Sequence, residues 1–270
     1  MKQRILTGII GGILLLLVLF TSDITVIGAV VGAVSLLAVY ELYTAVGLNK
    51  NLPIMIISLV GAITIIFNSY SDNSYLYFIL FALVFAYCLD MLFTNGKTNL
   101  KDIGIAIFGI VYIVLSMMHI VYARELDFGK FNLFIIIIGA CSTDIWAYFI
   151  GVFFGKHKLC EKISPKKTVE GSIGGFVGSV VFLILTAELI SRFALDVKGV
   201  NYAEIIVLGM LCSVFAQLGD LSASVIKRQF GIKDYGHILP GHGGFMDRID
   251  SIIFVAPMVY YFLSVFPVFK

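Results

Sequence analysis

Residues 224–250 carry most of the side chains in this chain that could act on a charged substrate. The stretch reads SVIKRQFGIKDYGHILPGHGGFMDRID and combines cations, carboxylates, two histidines and closely spaced glycines. Glycine lets the backbone approach a ligand closely, and cations with carboxylates suit a phosphate-bearing ligand held with a divalent metal. A solvated, inert loop between membrane helices is the simpler alternative, but it leaves the glycines and histidines unexplained.

Asp144 lies near the middle of an apolar run, in CSTDIWAYF. An unpaired carboxylate is costly there, so we expect it to face a water-filled cavity or a cation. The alternative is a protonated or locally hydrogen-bonded aspartate, helped by Ser142 and Thr143.

Asp220 lies near the end of another apolar run and precedes three polar residues, Ser224, Lys227 and Arg228. Spacings of four, seven and eight residues place all of them on one face of a continuing helix. Asp220 can therefore share a site with phosphate-binding cations. The alternative is a helix-end ion pair between Asp220 and Lys227 or Arg228.

A second polar stretch, GKHKLCEKISPKKTVEGSIGG, precedes a glycine-rich helix start. Free backbone N–H groups at a helix start can bind phosphate, and Lys166 and Lys167 lie just before it. We expect these two lysines to bind phosphate, although lysines can also simply attract anionic headgroups to the membrane surface. His157 has no identifiable partner. Glu41, Asp90 and Glu188 lie near helix ends, where snorkelling to the interface explains them without a further role.

The 224–250 stretch resembles the signature of the phosphatidate cytidylyltransferases, also called CDP-diacylglycerol synthases. The resemblance extends to Gly219-Asp220-Leu221, to residues 164–168 and to Glu170-Gly171. It is therefore specific over roughly the last half of the chain, and the earlier half resembles the family only in its general character. The matching signature positions are Ser224, Ile226, Lys227, Arg228, Lys233, Asp234, Gly236, Leu239, Pro240, His242, Gly243, Gly244, Phe245, Asp247, Arg248, Ile249 and Asp250.

The resemblance implies that CTP and phosphatidate react to give CDP-diacylglycerol and pyrophosphate. It also implies Mg²⁺ as the cofactor, leaves open whether a second cation takes part, and implies a homodimer as the assembly. Repulsion between two anionic phosphates is then the main obstacle, which metal-held carboxylates and cations reduce. The expected metal ligands are Asp220, Asp247 and Asp144. The expected catalytic residues are Asp144, Lys166, Lys167, Lys227, Arg228 and Asp247. The expected phosphate-binding residues are Lys166, Lys167, Ser224, Lys227, Arg228, Lys233, His242, Gly243, Gly244 and Arg248.

Composition sets the fold class. The 270 residues are 60% hydrophobic and 13% charged, which indicates an all-α integral membrane protein. Nothing in the chain suggests a nucleic-acid partner. We expect residues 1–130 to hold five helices, and residues 131–270 to hold four together with the active-site cavity. The nine predicted spans are Ile5–Phe20, Ile24–Ala45, Pro53–Phe67, Tyr75–Phe93, Ile103–Tyr122, Phe131–Phe154, Ile173–Ile190, Ile205–Ile226 and Ile249–Phe269.

The distribution of basic residues predicts the orientation. With nine spans, 14 of the 19 lysines and arginines fall on one side. Because cytoplasmic loops are enriched in these residues, the N-terminus and the loops around Lys166 and Lys233 are expected in the cytoplasm, and the protein in the cytoplasmic membrane.

Two other classes of function stay open on the residues alone. A transporter of anionic solutes would also place Asp144 in the membrane and break helices with glycine, but its interrupted helices would occur as a duplicated pair. A scaffold that binds anionic lipid needs the basic residues but not Asp220, Asp247 and Asp250. Uptake of solute into liposomes without nucleotide would indicate the transporter. Lipid binding that is insensitive to magnesium would indicate the scaffold.

Overall fold

The structure, a computed structural model, describes residues 11–13, 17–20, 23–70, 74–96, 98–239, 241 and 243–270. It is mostly helical. The elements are α1 (Ile24–Ala45), α2 (Leu52–Asn68), α3 (Leu76–Phe93), α4 (Leu100–Glu125, with a π-helical stretch at Ile110–Leu115), α5 (Gly129–Phe154), β1 (Lys158–Cys160), β2 (Ser164–Thr168), α6 (Val169–Phe193), α7 (Tyr202–Gln229), α8 (Met246–Ile249) and α9 (Ile252–Val265).

Six of these helices, α1 and α3 to α7, are long and apolar enough to cross a membrane. About 20 apolar residues are needed for this, so the protein is an integral membrane protein. The helices α2 and α9 are apolar but shorter, with 17 and 14 residues. Much of the first predicted span, Ile5–Phe20, lies outside the described residues. The predicted all-α membrane class is thus confirmed, while the count of nine spans stays a prediction.

Local sequence signals explain where several helices begin. Asp23 caps α1 by accepting the Thr25 N–H at 2.8 Å, and Asn99 caps α4 by accepting the Asp102 N–H at 2.9 Å. Pro53 lies in the first turn of α2, as expected, because the first turn needs no N–H from it.

The described chain groups into two compact units. The first contains residues 1–121 and 232–248, and the second contains residues 122–231 and 249–270. Residues 224–250 are therefore divided between the units, with only their middle part in the first. The division expected from the sequence, 1–130 and 131–270, stays a prediction, and the compact units follow a different grouping.

In the first unit, polar contacts tie apolar helices together. The Tyr43 hydroxyl of α1 donates to the carbonyl of Ala106 in α4 at 2.6 Å. The hydroxyls of Ser58 in α2 and Tyr87 in α3 lie 2.6 Å apart. Because an unpaired hydroxyl is costly away from water, these pairs fix how the helices pack.

In the second unit, α5 and α6 pack closely along glycines. A side-chain carbon at Gly171 would lie 2.6 Å from the Ala147 carbonyl oxygen, and one at Gly175 would lie 2.8 Å from that of Thr143. Small residues four apart allow two membrane helices to approach in this way. These two glycines at the start of α6 therefore serve helix packing. The phosphate binding that the sequence analysis expected at this helix start stays a prediction.

Residues 158–168, within the polar stretch before α6, form a short antiparallel hairpin of β1 and β2, with Lys158 opposite Thr168 and Cys160 opposite Ser164. Glu170 closes it by accepting the backbone N–H groups of Lys156 and His157 at 3.0 and 3.2 Å. The His157 ring also lies 2.6 Å from Glu170. His157 thus has a partner that the sequence did not reveal.

Candidate functional site

The second unit brings three aspartates into one place. Asp144 lies on α5, Asp220 on α7, and Asp250 in the turn before α9. We call these residues the aspartate cluster. The charges of Asp144 and Asp220 both act on Asp250, which shows that three elements far apart in sequence converge here.

Asp220 is paired with Lys167 of β2, whose Nζ lies 2.5 Å from Asp220 Oδ2. Each side chain is 26% exposed, so the pair is neither buried nor freely solvated. One turn further along α7, the Ser224 hydroxyl donates to Asp220 Oδ1 at 3.4 Å. The continuing helix expected from the spacing of Asp220 and Ser224 is confirmed, because α7 runs nine residues beyond Asp220.

The expected alternative partners of Asp220 have other contacts. The charge of Lys227 acts on Asp250. Arg228 Nε donates to the Ile163 carbonyl in the hairpin turn at 3.2 Å. The ion pair that Asp220 forms is thus with Lys167, a pairing that helical spacing cannot show.

Asp250 precedes α9 by two residues and lies outside that helix, although the sequence placed it within the last span. Burial, followed by the negative charge of Asp220, raises the pKa of Asp250 to about 7, with Asp144 adding to the effect and Lys227 opposing it. A side-chain carbon at Gly219 would overlap the carbonyl oxygen of Asp250, so this glycine lets α7 approach the turn.

Asp144 accepts a hydrogen bond from the Ser251 hydroxyl at 2.9 Å. The hydroxyls of Ser142 and Thr143 instead donate to the carbonyl of Gly139 in their own helix, at 3.5 and 2.9 Å. Local hydrogen bonding by those two residues therefore does not account for Asp144, and the Ser251 hydroxyl that donates to it comes from the turn that holds Asp250.

The two adjacent lysines of β2 have different surroundings. Lys167 is half-buried against Asp220, whereas Lys166 is exposed. The first helical N–H groups beyond them are not all free, since Thr168 Oγ1 accepts the Gly171 N–H at 3.1 Å. Of the two lysines, Lys167 therefore brings positive charge to the aspartate cluster through Asp220.

Within the first unit, the described residues of 232–248 run from the end of α7 into the short helix α8, and we call this segment the signature loop. Asp247 Oδ2 accepts the backbone N–H groups of Tyr235 at 2.9 Å and Gly244 at 3.1 Å. Gly241 and Gly243 have φ of +79° and +80°, which L side chains rarely adopt. The signature loop therefore depends on Asp247 to hold its two ends together and on glycine to turn between them.

The signature loop surrounds a polar pocket of about 550 Å³, lined by Lys233, Asp234, His237, Leu239, Gly241, Gly243 and Arg248. The cations of Lys233 and Arg248 and the backbone of the two positive-φ glycines suit the binding of an anion. The carboxylate of Asp234 in the same lining would repel one. The pocket contains three residues expected to bind phosphate: Lys233, Gly243 and Arg248. Gly244 is buried beside Glu41, and His242 lies outside the described residues.

Glu41 of α1 is a residue whose role sequence reasoning missed. It is 2% exposed, and its Oε2 accepts the Met246 N–H at 2.9 Å. A snorkelling carboxylate would be solvated, so the interfacial interpretation of Glu41 was wrong. Asp90 and Glu188 also have partners, because Asp90 accepts from Thr98 at 2.6 Å and Glu188 binds Arg192 at 2.7 Å.

The aspartate cluster has suitable donors for magnesium, which prefers oxygen ligands. In the described part of the chain, no three His, Cys, Asp or Glu side chains are already arranged to hold a metal ion together. Magnesium usually takes only one or two protein carboxylates and completes its shell with water and phosphate oxygens. The mutual repulsion felt by Asp250 would also be relieved by a cation, so these residues fit the ion. Asp247, expected as a ligand, belongs to the other unit, and its metal role stays a prediction.

Comparisons with known proteins agree along the whole chain. A family model described as "Cytidylyltransferase family" matches residues 2–266. A phosphatidate cytidylyltransferase of Bacillus subtilis (strain 168) is 34% identical over 275 residues, covering 98% of both chains. One from Staphylococcus haemolyticus is 33% identical, covering 96% of this chain and 97% of its own. One from Thermotoga maritima is 37% identical over 134 residues, about half of each chain.

Proposed function

We propose that this chain, which belongs to the cytidylyltransferase family, transfers a cytidylyl group from CTP to phosphatidate, giving CDP-diacylglycerol and pyrophosphate. The observation that carries the proposal is the aspartate cluster with Lys167 beside it, in a chain similar throughout to phosphatidate cytidylyltransferases. Cations and carboxylates at one place on a membrane protein suit a reaction between two phosphates, one of them on a lipid.

In this reaction an oxygen of the phosphatidate phosphate bonds to the α-phosphorus of CTP, and the bond from that phosphorus to the bridging oxygen breaks. The pyrophosphate leaves with the bonding electrons. The attacking phosphate is already ionised near neutral pH, so the residues need not remove a proton from it. Their task is to bring two anions together and stabilise the charge on the leaving group.

Lys167 is the cation best placed to do this at the aspartate cluster. Its ion pair with Asp220 fixes its position without burying it, so its charge can also act on a phosphate. Lys227 acts on the same cluster, whereas Arg228 anchors the hairpin turn through Ile163. Lys166 is exposed and is assigned an accessory contact to a phosphate.

Asp144 and Asp220 would hold magnesium, and Asp250 is added because the charges of both act on it. Asp247 and a second cation are kept as further proposals. Bound there, magnesium would neutralise phosphate oxygens and stabilise the leaving pyrophosphate. Ser251 orients Asp144 by its hydrogen bond, and Ser224 and Lys167 together orient Asp220. These contacts hold the carboxylates in place before substrate binds.

The polar pocket of the signature loop is proposed to bind a substrate phosphate through Lys233 and Arg248, with Gly243 offering close backbone approach. Gly244 and His242 are proposed to support the same site. Asp234 in the same pocket would disfavour a large excess of negative charge, so the pocket suits a single phosphate group more than a whole triphosphate.

The proposed reaction is tested by incubating purified protein with phosphatidate, magnesium and each nucleoside triphosphate in turn. Lipid-soluble labelled nucleotide is expected with CTP, together with an equal amount of pyrophosphate, and is expected to disappear when magnesium is chelated. A product that forms without phosphatidate, or none with any nucleotide, would refute the proposal.

The finer membrane arrangement is also a proposal: nine spans, a cytoplasmic N-terminus, loops that face the cytoplasm of the cytoplasmic membrane, and a homodimer. Its support is the bias of lysine and arginine to one side, together with the six long apolar helices and the two shorter apolar helices α2 and α9. CTP is cytosolic, so the proposed function requires the hairpin on that side.

Labelling of single cysteines in an otherwise cysteine-free chain tests this arrangement. Glu161→Cys in the hairpin and Lys198→Cys after α6 are both exposed positions on opposite predicted sides. In intact spheroplasts, an impermeant maleimide is expected to label Lys198→Cys at once and Glu161→Cys only after permeabilisation. The reverse pattern would overturn the orientation.

A further inference from the structure

Glu41 is a carboxylate buried in a helix that contributes no residue to the aspartate cluster and none to the lining of the polar pocket. Burying a carboxylate is costly unless hydrogen bonds compensate for it. Its Oε2 accepts the Met246 N–H, and the backbone of Phe245 also interacts with the carboxylate. No residue that the structure describes donates a hydrogen bond to Oε1. The contacts of Glu41 are thus with the backbone of the signature loop.

Two glycines of the signature loop lie directly against this carboxylate. A side-chain carbon at Gly236 would overlap Glu41 Oε1, and one at Gly244 would overlap Oε2. At both positions the three nearest atoms all belong to Glu41. Neither glycine has a positive φ, so backbone conformation does not require glycine there. Glycine is required at both positions because a side chain would occupy the space taken by the Glu41 carboxylate.

Glu41 and Asp247 hold the same segment from two directions. Gly244 donates its N–H to Asp247 Oδ2, while its Cα faces Glu41. Asp247 also binds the N–H of Tyr235, next to Gly236. The backbone at both ends of the signature loop is therefore held between two carboxylates, and the pocket-lining residues Lys233, Gly243 and Arg248 lie within or beside the held segments.

We propose that Glu41 is a positioning residue: through its contacts at Gly236, Gly244 and Met246, its buried carboxylate holds the signature loop in the shape that forms the polar pocket. The role of that pocket in binding a substrate phosphate rests on the proposed function, whereas the anchoring itself does not. Glu41 acts through the backbone of the loop, and loss of a fixed backbone of this kind can lower turnover by orders of magnitude.

A double-mutant cycle between Glu41 and Gly236 tests this contact. Gly236→Ala alone and Glu41→Ala alone are each expected to lower turnover by about tenfold or more, the first by a clash and the second by releasing the loop. Independent losses would multiply to about a hundredfold in the double variant. We expect instead that Glu41→Ala/Gly236→Ala is no worse than Glu41→Ala, because the added methyl then has room.

Two controls make the cycle specific. Gly243→Ala is strained by its φ of +80° whatever Glu41 does, so Glu41→Ala is not expected to relieve it. Ser35→Ala removes another buried polar group of α1, whose hydroxyl donates to the Val31 carbonyl of its own helix at 2.7 Å, and is expected to keep turnover close to wild type.

Amide hydrogen exchange provides a readout that a general loss of stability would not give. In Glu41→Ala, exchange is expected to rise in residues 236–246 and stay unchanged in α7. Multiplicative losses in the cycle, a tolerated Gly236→Ala, or unchanged exchange in the loop would each overturn the proposal. If the wild-type protein shows no transfer from CTP, the same cycle read by melting temperature and exchange still decides the role of Glu41, so the two failures are distinguishable.

Discussion

Asp220→Asn is expected to lower turnover by about a hundredfold or more while the fold is retained, because it removes charge from the proposed magnesium site. Asparagine has nearly the same shape and keeps one oxygen, but it binds the ion weakly. Asp220 is also the partner of Lys167, so the substitution leaves that lysine without its fixed counter-charge. Excess magnesium is expected to restore little of the activity.

Melting temperature and magnesium-dependent turnover measured on the same preparations separate this role from a structural one. If Asp220 only pairs with Lys167, Asp220→Asn is expected to lower the melting temperature and leave most of the turnover. Glu188→Gln is the matched control, since it removes a carboxylate from an exposed ion pair with Arg192 in the same unit and is expected to keep near wild-type turnover. Magnesium-responsive activity in Asp220→Asn would contradict the assignment.

The same substitution can be compared at the other acidic positions. Asp250→Asn removes the carboxylate on which the charges of Asp144 and Asp220 both act, and is expected to lower turnover to a similar extent if Asp250 joins the metal site. Asp247→Asn is expected to lower turnover too, but with a larger fall in melting temperature, because Asp247 holds two backbone N–H groups of the signature loop. Equal melting temperatures of Asp250→Asn and Asp247→Asn would show that Asp247 does not hold the signature loop together.

The second large effect is expected at Lys167. Lys167→Ala removes the cation nearest to Asp220 and is expected to lower turnover by about a hundredfold, because the charge it would place on a phosphate is lost. Lys166→Ala is the matched control on the same strand. Its side chain is exposed, so a loss of less than about tenfold is expected, mainly as a higher apparent KM.

Steady-state kinetics with CTP and phosphatidate varied separately check both lysine variants. Wild-type activity in the double variant Lys166→Ala/Lys167→Ala would show that the hairpin lysines are only a surface patch that attracts anionic lipid. Equal losses in the two single variants would show that the ion pair with Asp220 does not distinguish Lys167.

The membrane class and the reaction chemistry follow from the sequence because both depend on local features. Apolar runs of about 20 residues predict membrane helices without knowledge of their partners. The spacing from Asp220 to Ser224 was also enough to predict that their side chains lie on one face of a continuing helix, since residues four apart on a helix lie on the same face. The signature residues indicated the family through their order alone, and the comparisons confirm that membership.

The contacts of these residues depend on elements distant in sequence, and only the tertiary structure decided them. Helical spacing left Lys227 or Arg228 open as the ion-pair partner of Asp220, yet the partner is Lys167, which lies on the hairpin 53 positions earlier in the chain. Glu41 was interpreted as an interfacial residue because it lies near a helix end, and its 205-residue separation from Met246 hid their contact. Periodicity reports which face of a helix a residue lies on, whereas the identity of the neighbour on that face is set by how the helices and the signature loop pack.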